Sequence, residues 1–337
     1  MTLNAGGTVS GFSGMAASSL TVSGATFNAG SYAPFTVSAA FTLSSGAFTA
    51  PSGTMSVGGG FTISGVPTFT ANGGTVNFNG TTAATLACTV NSFNLVMFTH
   101  TAGAKTVTTC SLPLGASPLA NSGGSITLSG GTLSGTGTLT TSGTLTLTSG
   151  TVSGFSGLAA SSLTVSGATL NAGAYTTFTV AGTFTETSGT LTAPTGTMSV
   201  SGNFARTAGT FTANGGTVSL DGTGQTISGS TSFFKLRKVV VAADTLTFAA
   251  GTTQTVTAAT GSLTLQGAAG ALLSLRSSTP GTQWLINATS PRTLGFLDVE
   301  DAKNTNLTVM AAGLTSVNSG NNTSNPNDGR IQSAINP

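Results

Sequence analysis

The sequence predicts an all-β protein that folds as a single parallel β-solenoid with about 20 residues and three short strands per rung. A twenty-residue pattern, "FTVAGTFTETSGTLTAPTGT" at 178–197, is followed directly by a second version, "MSVSGNFARTAGTFTANGGT" at 198–217. A longer segment at 7–30 returns almost unchanged at 150–173. In all of them apolar residues alternate with Thr, which is typical of strands with one buried face. At this period the chain makes about sixteen rungs.

Two other interpretations are compatible with the composition. Sequences rich in Gly, Ser and Thr can be disordered, and short alternating strands also build antiparallel sandwiches or barrels. The 19 Phe residues, however, recur at regular spacing, which disordered sequence does not require. An antiparallel sandwich does not need a twenty-residue period either. The solenoid is therefore favoured.

The repeats divide the chain into three segments. Residues 1–143 form a first solenoid block, and residues 144–267 form a second, duplicated block that continues it. Residues 268–337 have no counterpart in the first block and are expected to form divergent C-terminal rungs and a tail. The opening "MTLNAGGTVSG" resembles the middle of a repeat, so we expect a fragment, a processed form or a numbering that starts within a longer protein.

The short period predicts the core. A single rung cannot bury its apolar face, so stacked rungs turn each aligned position into a column of like side chains. The predicted core ladders pair Phe35 with Met55, Phe41 with Phe61, Phe48 with Phe69, Phe178 with Met198, Phe184 with Phe204, and Leu191 with Phe211.

Turns and cysteines follow the same period. Asn72–Gly73 and Asn214–Gly215 are predicted turns, because Asn and Gly tolerate left-handed backbone. Cys88 and Cys110 lie 22 residues apart, about one rung, and stacked positions can come within disulfide range. They are therefore either bonded or two small buried side chains in adjacent rungs.

Charged side chains are scarce. They make up 5% of the chain, against about 25% in an ordinary soluble domain, and residues 1–104 contain none. Such a surface suggests packing into an assembly or exposure of hydroxyl groups. No basic stripe is present, so nucleic acid is not an expected partner. No run of about 18 apolar residues is present either, so no membrane span is expected.

The residues that could carry chemistry are few. The single His100 has no acidic residue near it in sequence, and it is expected on an outward strand or turn. Glu186 and Arg206 align in neighbouring rungs and are expected to pair on the surface. We therefore predict no catalytic residue, no cofactor and no enzyme activity, since glycoside hydrolysis usually needs two carboxylates placed across one bond.

Two charged clusters leave alternatives open. Asp298, Glu300 and Asp301 can either hold Ca²⁺ or form a solvated acidic patch near Lys303; the patch is favoured, and no metal site is predicted. In "FFKLRKVVV" at 233–241, alternate basic residues share a face. That face is either an anion or polysaccharide contact or, as we favour, a charged outer surface that prevents sticking.

The C-terminal segment adds a resemblance. "GTQWLINATSPRTLGFLDVEDA" at 281–302, with "GGTVNFNG" at 73–80 and "GGTVSLDGTGQTISG" at 215–229, resembles repeat modules of large secreted bacterial surface proteins. Those modules resemble right-handed parallel β-helix adhesins. The resemblance implies a right-handed solenoid, an extracellular or cell-surface location and an adhesin-like role, without catalytic residues.

The function predicted from these observations is structural. A solenoid end exposes backbone edges and core, and it needs either a cap or another subunit. We therefore expect a non-enzymatic subunit of a surface fibre or filament that assembles head to tail with itself. The alternative is an adhesin or carbohydrate-binding surface rod that binds glycans without polymerising. Ice binding and polysaccharide cleavage are less favoured hypotheses.

Overall fold

The computed structural model describes residues 1–89, 93–114, 124–306, 310–311, 315–324 and 331–332. They contain no helix, and their strands stack in parallel as a β-solenoid of about 14 turns with about 21 residues per turn. The predicted fold is confirmed, but the expected sixteen rungs are too many, because some turns are longer than the repeats suggest. Leu236 pairs with Leu263, 27 residues on, and Leu246 pairs with Leu275, 29 residues on.

The chain forms two compact units, Met1–Leu170 and Asn171–Pro337. The block boundary expected at 143/144 lies within the first unit. No helix of the described residues is long and apolar enough to cross a membrane.

The strands that begin in the first unit are β1 (Thr2–Leu3), β2 (Thr8–Val9), β3 (Met15–Ala17), β4 (Leu20–Asn28), β5 (Phe35–Val37), β6 (Phe41–Thr49), β7 (Thr54–Val57), β8 (Phe61–Ile63), β9 (Thr68–Thr70), β10 (Thr75–Phe78), β11 (Ala84–Cys88), β12 (Leu95–Phe98), β13 (Lys105–Val107), β14 (Ser111–Leu114), β15 (Ile126–Gly135), β16 (Thr138–Ser153) and β17 (Gly157–Asn171).

The strands of the second unit are β18 (Thr177–Val180), β19 (Phe184–Thr192), β20 (Thr197–Val200), β21 (Phe204–Arg206), β22 (Thr210–Thr212), β23 (Thr217–Leu220), β24 (Gln225–Ser228), β25 (Thr231–Ser232), β26 (Lys235–Val239), β27 (Asp244–Phe248), β28 (Thr253–Val256), β29 (Ser262–Gln266), β30 (Leu273–Ser277), β31 (Trp284–Ala288), β32 (Arg292–Gly295), β33 (Leu297–Glu300), β34 (Ala302–Asn304), β35 (Met310–Ala311), β36 (Val317–Gly320), β37 (Thr323–Ser324) and β38 (Ile331–Gln332).

Each turn offers three strand positions, and two of them can merge into one bent strand. β6 pairs with β8 through Phe41 and with β9 through Phe48. The bend lies at Gly46, which has φ 81°. A Cβ there would collide with the backbone of Ala25 in the preceding turn, so glycine is required for both its conformation and its close approach.

The core of the first unit consists of the expected columns. Phe35 pairs with Met55, Phe41 with Phe61, and Phe48 with Phe69. All six side chains are buried. The rings of Phe41 and Phe61 stack with centroids 4.8 Å apart, so inward residues of successive turns touch directly.

The second unit has the same arrangement with one difference. Phe178 pairs with Met198, Phe184 with Phe204, and Leu191 with Phe211. The first five of these side chains are buried, but Phe211 is half-buried. The guanidinium carbon of Arg206 lies 5.2 Å from the Phe211 ring centroid, so this ring packs against a cation where a full core position was expected.

The predicted turns have left-handed backbone, with φ of 50° at Asn72, 72° at Gly73, 48° at Asn214 and 78° at Gly215. The Asn72 side-chain amide donates to two carbonyl oxygens of earlier turns, at Gly30 and Ala50, both at 3.2 Å. The asparagine turns therefore tie one turn of the solenoid to those before it.

A disulfide joins Cys88 and Cys110, whose Cα atoms are 4.7 Å apart. Both side chains are buried. The bond therefore links successive turns inside the first unit.

Candidate assembly surface at the first turn

The first turn of the solenoid pairs on one side only within the described residues. β1 and β2 pair with β4, and β3 pairs with β5. No other strand pairing of these three is seen in the described part of the chain. Their opposite edges therefore present backbone donors and acceptors without strand partners.

Apolar side chains accompany these open edges. We call the set Met1, Leu3, Val9, Phe12 and Met15 the first-turn face. Phe12 is 61% exposed and Met1 is 52% exposed, and the other three are half-buried. Further along in this unit, Phe41 lies between Leu20 and Phe61 and is fully buried. The first-turn face is exposed because its inward residues are covered from one side only.

A cavity of about 310 Å³ opens at this face, lined by Met1, Val9, Phe12, Gly14, Met15, Ala16, Phe27 and Tyr32. The Phe12 backbone N–H donates to the Tyr32 hydroxyl at 3.2 Å. Its ring also meets the Tyr32 ring edge-on, with centroids 6.1 Å apart. The largely exposed Phe12 ring therefore has an aromatic neighbour in Tyr32.

The first-turn face carries no charged side chain. In residues 1–170 the only Lys, Arg, Asp or Glu is Lys105, and it is fully buried. Its Nζ donates to the Thr82 carbonyl at 2.6 Å, and burial lowers the pKa of its ammonium group. The exterior of this unit therefore has no charged side chains that would repel a second copy of the same surface.

His100 is buried, so the expected outward position is wrong. Its Nε2 lies 3.3 Å from the Ser125 carbonyl oxygen, and burial lowers the pKa of the imidazole. Gly124 packs so closely that a Cβ there would overlap the ring. His100 lies in the interior and away from the first-turn face.

Glu186 and Arg206 do pair, with Oε2 and Nε 2.5 Å apart, but both are buried. The expected surface location is wrong because each lies two residues after an inward Phe and therefore points inward too. Burial raises the pKa of Glu186, and Arg206 opposes this shift.

A second buried network was not predicted from the sequence. Lys238 Nζ lies 2.7 Å from Asp244 Oδ2 and donates to Gln225 Oε1 at 2.9 Å and to the Gly222 carbonyl at 2.6 Å. The signal for it was present, because Lys238 follows the inward Leu236 by two residues. The neighbouring Arg237 is exposed, as the charged outer face required.

The two acidic residues of β33, Asp298 and Glu300, share one arginine. Arg276 forms ion pairs with Asp298 and with Glu300, the latter at 3.3 Å. The expected solvated position is wrong for Asp301, which is buried because its carboxylate accepts hydrogen bonds from the Gly281 N–H, at 3.0 Å, and from the Asn321 side-chain amide. Within the described residues no group of three or more His, Cys, Asp or Glu is placed to hold a metal ion.

No family model, curated protein or solved structure matches this chain. Among the described residues, several charged side chains lie in ion pairs or in buried positions. Within the described part of the chain, the first-turn face combines exposed apolar side chains, strands paired on one side and an exposed aromatic ring.

Proposed function

We propose that this chain is a non-enzymatic structural protein of the cell surface or extracellular space, a β-solenoid subunit that assembles end to end with itself. The observation that supports this proposal is the uncharged exterior of the first unit, in which the single charged residue, Lys105, is buried. Among the described residues, the first-turn face adds exposed apolar side chains beside strands that pair on one side.

Exposed strand edges bind other strands unless charge, proline, bulges or a covering segment prevents it. Residues 1–17 contain neither a charged side chain nor a proline. A contact between one surface of a subunit and a different surface of the next is heterologous. If such a contact does not close into a ring, it produces a filament.

The proposed location rests on three supports. The Cys88–Cys110 disulfide suits an oxidising compartment, and the first unit has no exposed charged side chain. The C-terminal sequence resembles modules of secreted bacterial surface proteins.

The test compares the wild type with two lysine variants. Phe12→Lys puts a charge on the first-turn face. Val66→Lys is the matched control, because Val66 is an exposed apolar residue of the same unit, 97% accessible, outside that face. Sedimentation velocity and negative-stain electron microscopy are carried out over a range of concentrations.

We expect fibres from the wild type and from Val66→Lys, with larger species at higher concentration, and separate subunits from Phe12→Lys. Single subunits of the wild type at every concentration would refute the proposal. Equal assembly of all three proteins would show that the first-turn face is not the contact surface.

A second candidate function is glycan binding without polymerisation. It is favoured by an outward column of hydroxyl groups in four successive turns, formed by Thr106, Thr127, Thr146 and Thr164. Uncharged hydroxyl rows match neutral polysaccharide better than acidic polymers. Saturable binding by Phe12→Lys on a glycan array would support it, and a blank array would count against it.

A further inference from the structure

The imidazole of His100 is buried in the first unit with one of its nitrogens unpaired. The side chain follows β12 and is fully buried, and its Nε2 lies 3.3 Å from the Ser125 carbonyl oxygen. Because a carbonyl oxygen can only accept, Nε2 carries the hydrogen of the neutral ring and Nδ1 carries the lone pair. Nδ1 has no hydrogen-bond partner among the described residues. A proton gained by this ring would therefore be placed on a buried nitrogen with no acceptor.

The ring is also closely enclosed. The Phe98 ring meets it edge-on, with centroids 6.0 Å apart. A Cβ added to Gly124 would lie 2.0 Å from the Cδ2 atom of His100, so the backbone of the following turn lies directly against the imidazole. The ring therefore cannot turn toward a new acceptor on that side while the two turns stay packed.

No acidic side chain of the first unit can compensate a charge on His100. Residues 1–170 contain no Asp, Glu or Arg, and Lys105 is their only Lys. The backbone N–H of Lys105 donates to the same Ser125 carbonyl, at 2.9 Å. The other ionisable groups of this unit, the Met1 amino group and Tyr32, belong to residues that line the cavity at the first turn. The elements packed around His100 thus add one cation and no anion.

The pKa of the imidazole reflects this environment. Burial lowers it most, the hydrogen bond to the Ser125 carbonyl opposes that shift, and the positive charge of Lys105 lowers it further. A buried base with no acidic partner excludes a proton that the same base binds in water. The closed turn therefore holds His100 neutral.

The buried cations of the second unit have acidic partners. Arg206 pairs with Glu186, and Lys238 pairs with Asp244. The pKa of Glu186 is raised and that of Asp244 is lowered, so mild acid does not remove the stability that either carboxyl group contributes. The two units are therefore expected to respond differently to acidification.

We propose that residues 95–107, which contain β12 and β13, form an acid-operated joint that opens when His100 gains a proton, while the second unit stays closed. Opening separates β12 from β10, and β13 from β11 and β15, and exposes the ring to water, where imidazole protonates near about pH 6.5. Since only the open form binds the proton, the closed joint is stable above that pH and loses stability below it, about tenfold in the opening equilibrium for each pH unit. This joint does not depend on end-to-end assembly.

The test measures amide hydrogen exchange by mass spectrometry at about pH 7.5, 6.5 and 4.5, as protection relative to the unfolded chain at the same pH. It compares the wild type with His100→Gln, whose neutral amide can still donate to Ser125 but does not gain a proton. Thr101→Gln is the matched control, because Thr101 is the exposed neighbour of His100. Strands β20 and β23 report on the second unit.

We expect the protection of β12 and β13 to fall about a hundredfold between about pH 6.5 and 4.5 in the wild type and in Thr101→Gln. The protection of these strands in His100→Gln, and of β20 and β23 in all three proteins, should show no such fall. Unchanged wild-type protection would overturn the inference, and so would an equal fall in His100→Gln.

A second measurement needs no variant. Deuterium exchange at the imidazole Cε1 is slow and depends on the protonation of the ring, and the chain has a single His, so mass spectrometry follows His100 alone. We expect slower exchange, with its midpoint at lower pH, than in the chain unfolded in guanidinium chloride. The same rate and midpoint in both states would show that the folded interior accepts the charged ring, which would overturn the inference.

Discussion

Truncation of two neighbouring phenylalanines, Phe204 and Phe211, tests the core ladders. Phe204 is fully buried, and its ring centroid lies 4.9 Å from Phe184 and 5.4 Å from Phe233. Phe204→Ala leaves a cavity enclosed by these rings, so we expect a loss of about 3–5 kcal/mol in the free energy of unfolding. Phe211 is half-buried and leaves an open space, so Phe211→Ala is expected to cost about 1–2 kcal/mol.

The assay is equilibrium unfolding in guanidinium chloride, followed by the fluorescence of Trp284. This is the only Trp; it lies in the same unit, and its ring stacks on Phe248 with centroids 3.9 Å apart. Thr185→Ala, on the outer side of β19, is the control and should stay within about 0.5 kcal/mol of the wild type. A loss below about 1 kcal/mol for Phe204→Ala, or equal losses for both Phe variants, would refute the ladder reasoning.

Three further predictions concern the cross-link and the buried charges. Replacing Cys88 and Cys110 together by Ala should lower stability by about 3 kcal/mol and speed subtilisin cleavage of the first unit; unchanged cleavage would contradict a stabilising role. Burial acts to raise the pKa of Asp244, but hydrogen bonds from Lys238 and from two backbone N–H groups outweigh it and hold the pKa below its usual value. The stability that Asp244 contributes is therefore present above the usual carboxyl pKa and lost as pH falls through the lower pKa of the folded state. Asp244→Asn should remove this pH dependence of the free energy of unfolding, measured by urea titration across pH 2–5. Burial raises the pKa of Glu186, so the stability it contributes is present below the usual carboxyl pKa and lost as pH rises through the raised pKa of the folded state. Glu186→Gln should therefore flatten the fall of the free energy of unfolding with rising pH. An unchanged pH dependence in this variant would show that the pKa of Glu186 is not raised.

The alternation of inward and outward residues along each strand predicted most of the fold. The expected surface position of the Glu186–Arg206 pair departed from this alternation and is wrong. Apolar alternation located Phe41, Phe61 and their columns correctly. The same rule places Glu186 inward, two residues after Phe184; the surface position expected from its charge is wrong. Buried ion pairs are compatible with the rule when each charge finds a partner, as Glu186 does in Arg206.

Other features depend on information that a local pattern does not contain. The lengths of the turns around Leu236 and Leu246 depend on insertions at corners, where no apolar period marks the register. The exposure of Phe12, the burial of its repeat counterpart Phe155 and the cavity beside Phe12 depend on three-dimensional packing, which the local pattern does not contain.

The scarcity of basic residues in the first unit has a practical consequence for detection. Trypsin cuts after Lys and Arg, and before Arg206 the only such residue is Lys105, which is buried in β13. Complete digestion of the unfolded chain therefore yields fragments 1–105 and 106–206, both far longer than the peptides that routine mass spectrometry identifies. A sample rich in this protein would be represented mainly by peptides from its C-terminal part. Chymotrypsin or elastase, which cut after the abundant Phe, Leu and Ala, would recover the first unit.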